Sequence, residues 1–460
     1  MSEAVGMRSL LARALEGLAV DYADIRVEES ERAQVVYRGE ELDTVGRNFE
    51  RGGCLRAFHR GNWAVATFNA IDEGLPELAR DLARQVEALP PTEAMIAPLG
   101  PHEETVRLDP AFDPRNHSLA DKRALIHHYN SILTSTPGII STVAWYRDEH
   151  RFTAFLSSEG RYLDQESADC GFLVRAVARD GNNIQDYSDS FGKPQGFDAL
   201  RHKEALVERV AKVARDLLKA EPVEAGRYTV IIDPLLAGVF CHEAFGHLSE
   251  ADHLADNDRL REMMKPGTRI GCEELTIVDD ATMPGERGSY RYDDEGASAE
   301  RTELIRHGVL VGRLHSRQTA QAMNEPPTGN GRAISYRYPP VVRMSNTLIE
   351  PRAAELDDML DETARGLYVC GSRGGMTELE SFTFASQYAW LIENGRKTRM
   401  VRDATLAGNV FETMMNITAI GDDLVLFGGL GGCGKAGQGP LPVGLGAPHL
   451  RIRDVTVGGR

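Results

Sequence analysis

Residues 228–254 read YTVIIDPLLAGVFCHEAFGHLSEADHL. The run YTVIID, residues 228–233, is a buried-strand pattern. Asp233 suits a helix N-cap and Pro234 the first helical position, so a helix follows. Inside it lies His242-Glu243-Ala244-Phe245-Gly246-His247, an HExxxH pattern. The zinc-protease pattern HExxH works because residues four apart share a helix face. Residues five apart are rotated by about 500°, roughly 140° out of register. Both rings reach one ion only where the helix is locally overwound or bulged. Single-turn π-bulges cluster at functional sites, and Gly246 is expected to absorb the distortion. On this reading His242 and His247 bind zinc. Glu243, beside the open coordination position, takes a proton from an activated water that attacks a peptide carbonyl. The competing reading is an ordinary amphipathic helix that happens to carry two histidines and a glutamate.

A third ligand has two candidates. His253 follows His247 by six residues, as in the extended pattern HExxHxxGxxH, but Glu250 stands where that pattern needs a chain-turning glycine. The other is Cys433, within GGLGGCGKAGQGP at 428–440. A thiolate is a strong zinc ligand, and glycines allow the backbone to approach closely. Cys433 also reads as a structural thiol in a glycine-rich loop, and Lys435 next to it as a stabiliser of a thiolate without any metal. The segment Gly429–Ala436 nearly matches the phosphate loop GxxxxGK[ST]. It fails at Ala436, which has no hydroxyl for Mg²⁺, and the residues beyond cannot start a helix. Nucleotide binding is the competing enzyme class, and a non-catalytic scaffold with a structural zinc is the other alternative.

The surrounding chain sets limits. It has 460 residues, too many for one compact core. Lys and Arg number 52 and Asp and Glu 69, a formal net charge of −17. That balance argues against nucleic acid and against an anionic membrane surface as partners. Six cysteines (54, 170, 241, 272, 370 and 433) include no CxxC pair, which suits a reducing, cytoplasmic setting. No signal peptide and no membrane-spanning run is read.

Leu10, Leu11, Ala14, Leu15 and Leu18 predict an opening helix. DIRVEE, AQVVYRG, CLRAFHRG and WAVATFN read as separate strands between glycine-containing turns. Leu75, Leu78, Leu82 and Val86 mark a second helix. Residues 89–114 hold six prolines and read as a surface connector. Ser118 and Asp121 form a capping-box pattern ahead of a third helix, and Leu206, Val210, Val213 and Leu217 mark a fourth. The breaks at Glu221-Pro222 and Gly226 set the main boundary, giving domains of residues 1–224 and 225–460. The second half is rich in glycine and β-branched residues. The fold class is α+β: an N-terminal α/β domain, then a mostly antiparallel β domain carrying the metal-site helix. Asp293-Asp294-Glu295 reads as an acidic surface turn, or otherwise as lining a chamber or positioning metal-site groups, and Tyr290, Tyr292 and His315 as structural residues that could otherwise stabilise an oxyanion.

Taken together, several blocks resemble the TldD branch of the TldD/PmbA family of metalloproteases. They are His242–His247 with Glu250, Arg287-Gly288-Ser289, Asp293–Gly296, Leu304-Ile305 with Gly308-Val309-Leu310, Ile392–Gly395, and Cys433–Gln438 with Pro442-Val443-Gly444. They run from residue 228 to the C-terminus; the N-terminal half agrees only in its order of elements. The resemblance implies one zinc ion per chain, held by His242, His247 and Cys433, with Glu243 as the catalytic carboxylate. It implies a peptidase acting on unfolded or short peptides, some of them modified, recognised by strand pairing. It also implies a dimer around the metal site, either a homodimer or a heterodimer with a PmbA-like subunit. The PmbA-like branch typically lacks the HExxxH histidines.

Overall fold

The structure is a computed structural model that describes residues 2–255, 257–378 and 380–459. Met1 and Arg460, the ends of the two expected domains, lie outside the described residues.

The N-terminal half is one long-stranded sheet with helices on one face. Its strands are β1 (Tyr22–Arg38), β2 (Glu41–His59), β3 (Asn62–Phe68), β4 (His102–Val106), β5 (Ile139–Ser157), β6 (Arg161–Asp180) and β7 (Asn183–Lys193). The order is β3-β2-β1-β5-β6-β4, with β7 also on β6. The helices are α1 (Ser2–Leu15), α2 (Leu75–Glu87), α3 (Leu119–Thr134) and α4 (Glu204–Asp216). The predicted periodicities mark them well: α2 buries Leu75, Ala79, Leu82 and Val86, and Ser118 with Asp121 closes a reciprocal capping box on α3.

Strand alternation gives the sheet two unlike faces. In β1, Ile25, Val27, Val35 and Tyr37 pack under the helices. The alternate residues Asp24, Arg26 and Glu28 are equally buried on the other face, where Arg26 donates to the Ser335 and Tyr338 carbonyls of the C-terminal half. The expected separate strands DIRVEE and AQVVYRG are therefore one strand of 17 residues. The charged stretch between them is extended backbone whose polar side chains find partners, not a turn. Residues 89–114 also differ from a plain connector. His102–Val106 pairs in parallel with β6, and Ala97 is buried against Arg317, which accepts a bond from the Ala97 N–H and donates from Nε to the Ala97 carbonyl.

The C-terminal half is mostly antiparallel. Glu221–Pro222 (β8) and Gly226–Ile232 (β9) begin its eight-stranded sheet. The path Arg365–Glu378, β9, Leu450–Gly458, Thr405–Asn409 and Ser381–Glu393 closes on itself, because the first and last strands also pair. Val230, Ile232, Phe382, Phe384, Leu406 and Ile452 fill that closed sheet, joined by Leu236 and Phe240 from helix α5 (Pro234–Phe240). A second sheet of six strands includes Asn346–Ile349 and Gly444–Ala447. Its Leu445 side chain packs so close to Gly238 of α5 that an added Cβ would lie 2.7 Å from it. The metal-site helix is thus wedged between two sheets.

The acidic turn is not on the surface. Asp293 and Glu295 are buried, and Asp294 nearly so. Arg56 of β2 bridges Asp24 (2.6 Å) and Glu295 (3.1 Å), while Arg26 and Arg151 reach Asp294 at 3.0 and 3.5 Å. Asp294 and Glu295 are the ionic seam between the two halves, while Asp293 accepts from the backbone N–H groups of Glu295, Ala297 and Gly331.

Candidate metal centre

Asp233 caps α5 by accepting from the Leu236 N–H at 2.8 Å, and its other oxygen accepts from Gly371 N–H at 2.9 Å. Pro234 follows at the first helical position. The helix then widens. Cys241–Gly246 is a π turn, and the His247 N–H donates to the carbonyl of His242. That i→i+5 bond answers the five-residue spacing, because it brings residues five apart onto one face. Gly246 does not supply the distortion: its φ of −54° and ψ of −48° are ordinary helical values. Its missing side chain instead makes room for Met344, whose Sδ would lie 2.1 Å from a Cβ there.

After the π turn a short 3-10 segment, His247–Ser249, ends the helix at Glu250. The expected continuous helix is therefore broken before His253, which sits on a separate turn, Asp252–Ala255.

The histidine rings face each other with centroids 5.3 Å apart and planes at 80°. Cys433 completes the group: its Sγ lies 3.4 Å from His247 Nε2, and one donor atom from each of the three residues falls within 4.8 Å of the others. Cys433 comes from a hairpin of Cys433–Lys435 and Gln438–Leu441. The two residues between, Ala436 and Gly437, have φ of +51° and +72°, the turn that matches strand twist in a two-residue hairpin. The near-match to a phosphate loop is thus a β-hairpin, with no helix after Lys435 among the described residues.

His242 and Cys433 are buried, and the Nδ1 of His242 has no hydrogen-bond partner among the described residues. An unpartnered buried nitrogen is costly. Beside it, burial alone would push the Cys433 thiol up, but hydrogen bonds and charge from His242 and His247 outweigh burial and lower it to about 5. Burial would lower His247, yet Cys433 and Glu250 raise it to about 10. Each group favours the charged form of the other, and a cation entering between them takes the place of the shared proton. Two imidazoles and a thiolate fit zinc, and three protein ligands leave one position open.

The other nitrogen of His247 is fixed from behind. Nδ1 lies 2.9 Å from Glu250 Oε2, and Glu250 is fully buried. This carboxylate selects the tautomer that presents Nε2 to the site. His253 Nε2 is 3.5 Å from the same oxygen, so His253 belongs to the carboxylate behind His247 and not to the group with His242 and Cys433. Glu243 remains about one-third exposed, with Oε2 3.8 Å from His247 Nε2. It therefore stands at the open side of the cluster.

The remaining candidates are held by partners outside the donor group, and Tyr290 and Tyr292 also line the cleft that the Cys433 hairpin walls. Tyr290 donates to the Gly329 carbonyl, Tyr292 bonds Glu104 and His102, and His315 lies between Thr319 and Glu325. Three supports have no role in the sequence reading: Glu250 and Arg287 stand there only within the blocks that carry the resemblance, and Arg343 not at all. Arg287 donates to the carbonyls of Gly429 and Gly431, and Arg343 to those of Cys433 (2.6 Å) and Gln438 (3.1 Å). The hairpin also walls a cleft of about 590 Å³, through Gly437 and Pro440, opposite Arg147, Glu149 and Arg151 of β5.

Comparison with known proteins gives the family and the fold. Three family profiles match: PmbA/TldA metallopeptidase domain 1 over residues 23–88, the central domain over 112–218 and the C-terminal domain over 225–459. A metalloprotease of Synechocystis sp. is 43% identical, with 95% of each chain covered. A metalloprotease TldD homolog of Buchnera aphidicola is 34% identical over 74% of this chain and 73% of its own. The crystal structure of TldE from Thermococcus kodakarensis shares the fold, with a TM-score of 0.76 at 18% identity and full coverage of both chains. With three profiles spanning most of its length and relatives this similar along it, the chain belongs to the PmbA/TldD metallopeptidase family.

Proposed function

We propose that this chain is a TldD-type zinc peptidase that hydrolyses unfolded or short peptides, modified ones included. The observation that carries the reading is the π turn: it sets His242 and His247 on one face, opposite Cys433, and leaves Glu243 beside them and open to solvent. The HExxxH histidines, and the names of relatives such as the zinc metalloprotease TldD homolog of Saccharolobus solfataricus, support the TldD branch and zinc.

Zinc held there would supply Lewis-acid polarisation of a peptide carbonyl and lower the pKa of a water molecule. The chain's own residues do the rest. Glu243 accepts a proton from the attacking water and returns it to the leaving amide nitrogen. Glu250 holds the His247 ring in one tautomer throughout. The cleft beside the Cys433 hairpin, lined by both signs of charge, is where the reading puts an extended chain; its lining includes the hairpin's Gly437 and Pro440 but not the three donor residues. Pairing with a second copy or with a PmbA-like subunit would restrict access to unfolded substrates. The six free cysteines suit a reducing compartment such as the cytoplasm.

The test is a panel of unstructured peptides, incubated with the enzyme, with the enzyme plus chelator, and with zinc restored. Cleavage that stops with chelator and returns with zinc is expected. Glu243→Gln should bind zinc normally and lose about 10²- to 10⁴-fold in turnover. Undiminished cleavage by that variant removes Glu243 as the base.

A further inference from the structure

Resting on the metal-site reading above, we propose that Lys435 is a positioning residue that docks the thiolate-bearing hairpin onto the histidine helix and so sets the affinity of the metal centre. The ammonium of Lys435 lies 3.0 Å from Glu250 Oε2, 2.6 Å from Asp252 Oδ1 and 2.9 Å from the Val342 carbonyl. Its contacts are with these oxygens, not with the thiolate two residues away. The sequence suggested a phosphate lysine or a direct partner of Cys433; the structure gives it neither part.

The geometry joins two ligands through one ion pair. Glu250 Oε2 accepts from His247 Nδ1 on one side and from Lys435 on the other. Lys435 belongs to the same three-residue strand as Cys433. The chain from the ring of His247 through Glu250 and Lys435 back to Cys433 thus closes around the metal group across 185 residues of sequence. Asp252, on the turn that follows, is the second carboxylate on the same ammonium, so one acid at the helix end and one just beyond it hold one cation from the hairpin.

The hairpin needs such a hold. A side chain built on Gly431, Gly434 or Gly437 would meet nothing within 4 Å, so packing does not pin those positions. Glycine-rich backbone is also the most expensive to order. Arg343 fixes the base of the hairpin through the carbonyls of Cys433 and Gln438, but it grips backbone and does not reach the histidine helix's carboxylates. Lys435 is nine-tenths buried and Glu250 wholly so, which makes the pair intolerant of losing one member.

The experiment uses cobalt(II) in place of zinc, because sulfur ligation gives a charge-transfer absorption that histidine ligation does not. Wild type, Lys435→Met and Asp252→Asn are titrated with cobalt and with zinc against a competing chelator, and the melting temperature of each metal-free protein is recorded. The wild type must show the sulfur band; its absence sinks the metal-site reading itself. Lys435→Met is expected to bind either ion about 10- to 100-fold more weakly. Its sulfur band per bound cobalt should fall while the histidine-type bands persist, a change that general destabilisation would not produce. Asp252→Asn should shift both readouts in the same direction by less, and it decides the matter alone where Lys435→Met does not fold. Wild-type affinity and a full sulfur band in the folded variants overturn the proposal.

Discussion

Gly246 and Met344 are in contact only because one of them has no side chain: a Cβ on Gly246 would lie 2.1 Å from Met344 Sδ and 3.2 Å from its terminal methyl. Met344 is fully buried, so it has little room to retreat. The glycine in HEAFGH therefore serves packing. The π turn is pressed against the segment leading into Asn346–Ile349, and any methyl there pushes the helix away or expels the methionine.

Gly246→Ala should accordingly destabilise the protein by about 1–3 kcal/mol through overpacking. It should also weaken zinc binding, because the turn that aligns His242 and His247 must shift. Met344→Ala in the same chain should restore most of the zinc affinity while carrying its own cavity cost. Thermal unfolding and chelator competition on both single variants and the double variant give the coupling. Additive effects would mean that the two residues do not act through this contact.

The ligand assignment separates two residues of like chemistry. Cys433→Ser replaces a thiolate by a poor zinc ligand, so zinc affinity should drop by at least about 10-fold. His253→Ala removes a half-exposed ring from the back of Glu250, where Lys435 and His247 remain. Its zinc stoichiometry should stay at one per chain with affinity within a few-fold of wild type. Metal analysis after dialysis against a graded chelator reads both. A larger loss in His253→Ala than in Cys433→Ser would reverse the choice of third ligand.

What the sequence discloses follows from the range of the interactions involved. The cap at Asp233-Pro234, the capping box at Ser118–Asp121 and the helical periodicities are local, and spacing alone predicts them. The five-residue gap between His242 and His247 is local too, and a widened turn is its direct geometric consequence. The charged stretch inside β1 is different. Its Glu28 and Arg32 are partnered on the neighbouring strand by Arg151 and Glu149, which short windows do not show. Asp293–Glu295 reads as a surface turn for the same reason, since Arg56 is 239 residues from Glu295 in sequence. Lys435 resembles a phosphate lysine because its neighbours are glycines; the carboxylates that claim it lie on another element.

Glu243 offers a cleaner separation of binding from chemistry than any ligand. Its carboxylate stands 3.8 Å from His247 Nε2 without belonging to the three-residue donor group. Glu243→Asp shortens the side chain by one methylene and keeps the charge. Turnover should fall by about 10²-fold, since a general base must lie within hydrogen-bond reach of its proton. The zinc dissociation constant should be unchanged. Steady-state kinetics together with chelator competition check this, and a parallel loss of zinc would make Glu243 a ligand.

The seam between the halves should respond to acid. Asp294 accepts from the Ala333 N–H at 2.7 Å and faces Arg26 and Arg151 from the N-terminal sheet. Burial would raise its carboxyl, but the two guanidinium groups outweigh burial and hold it below the ordinary value. A carboxylate whose folded pKa lies below its unfolded value of about 3.9 stabilises the fold fully above about pH 4. That contribution is lost as the pH falls through the lower folded value. Asp294→Asn keeps the shape and the Ala333 bond but removes the charge facing buried Arg26, while Arg151 retains Glu28 at 2.7 Å. At pH 7 the variant should be less stable by about 3 kcal/mol, the cost of stranding one member of a buried pair. Below pH 4 the gap should narrow, because the unfolded wild type gains a proton on Asp294 first and the folded state follows as the pH falls through its lower value. Urea unfolding at pH 7 and at pH 3 reads the difference directly. An equal gap at both pH values would show that charge on Asp294 is not what joins the sheet to the C-terminal half.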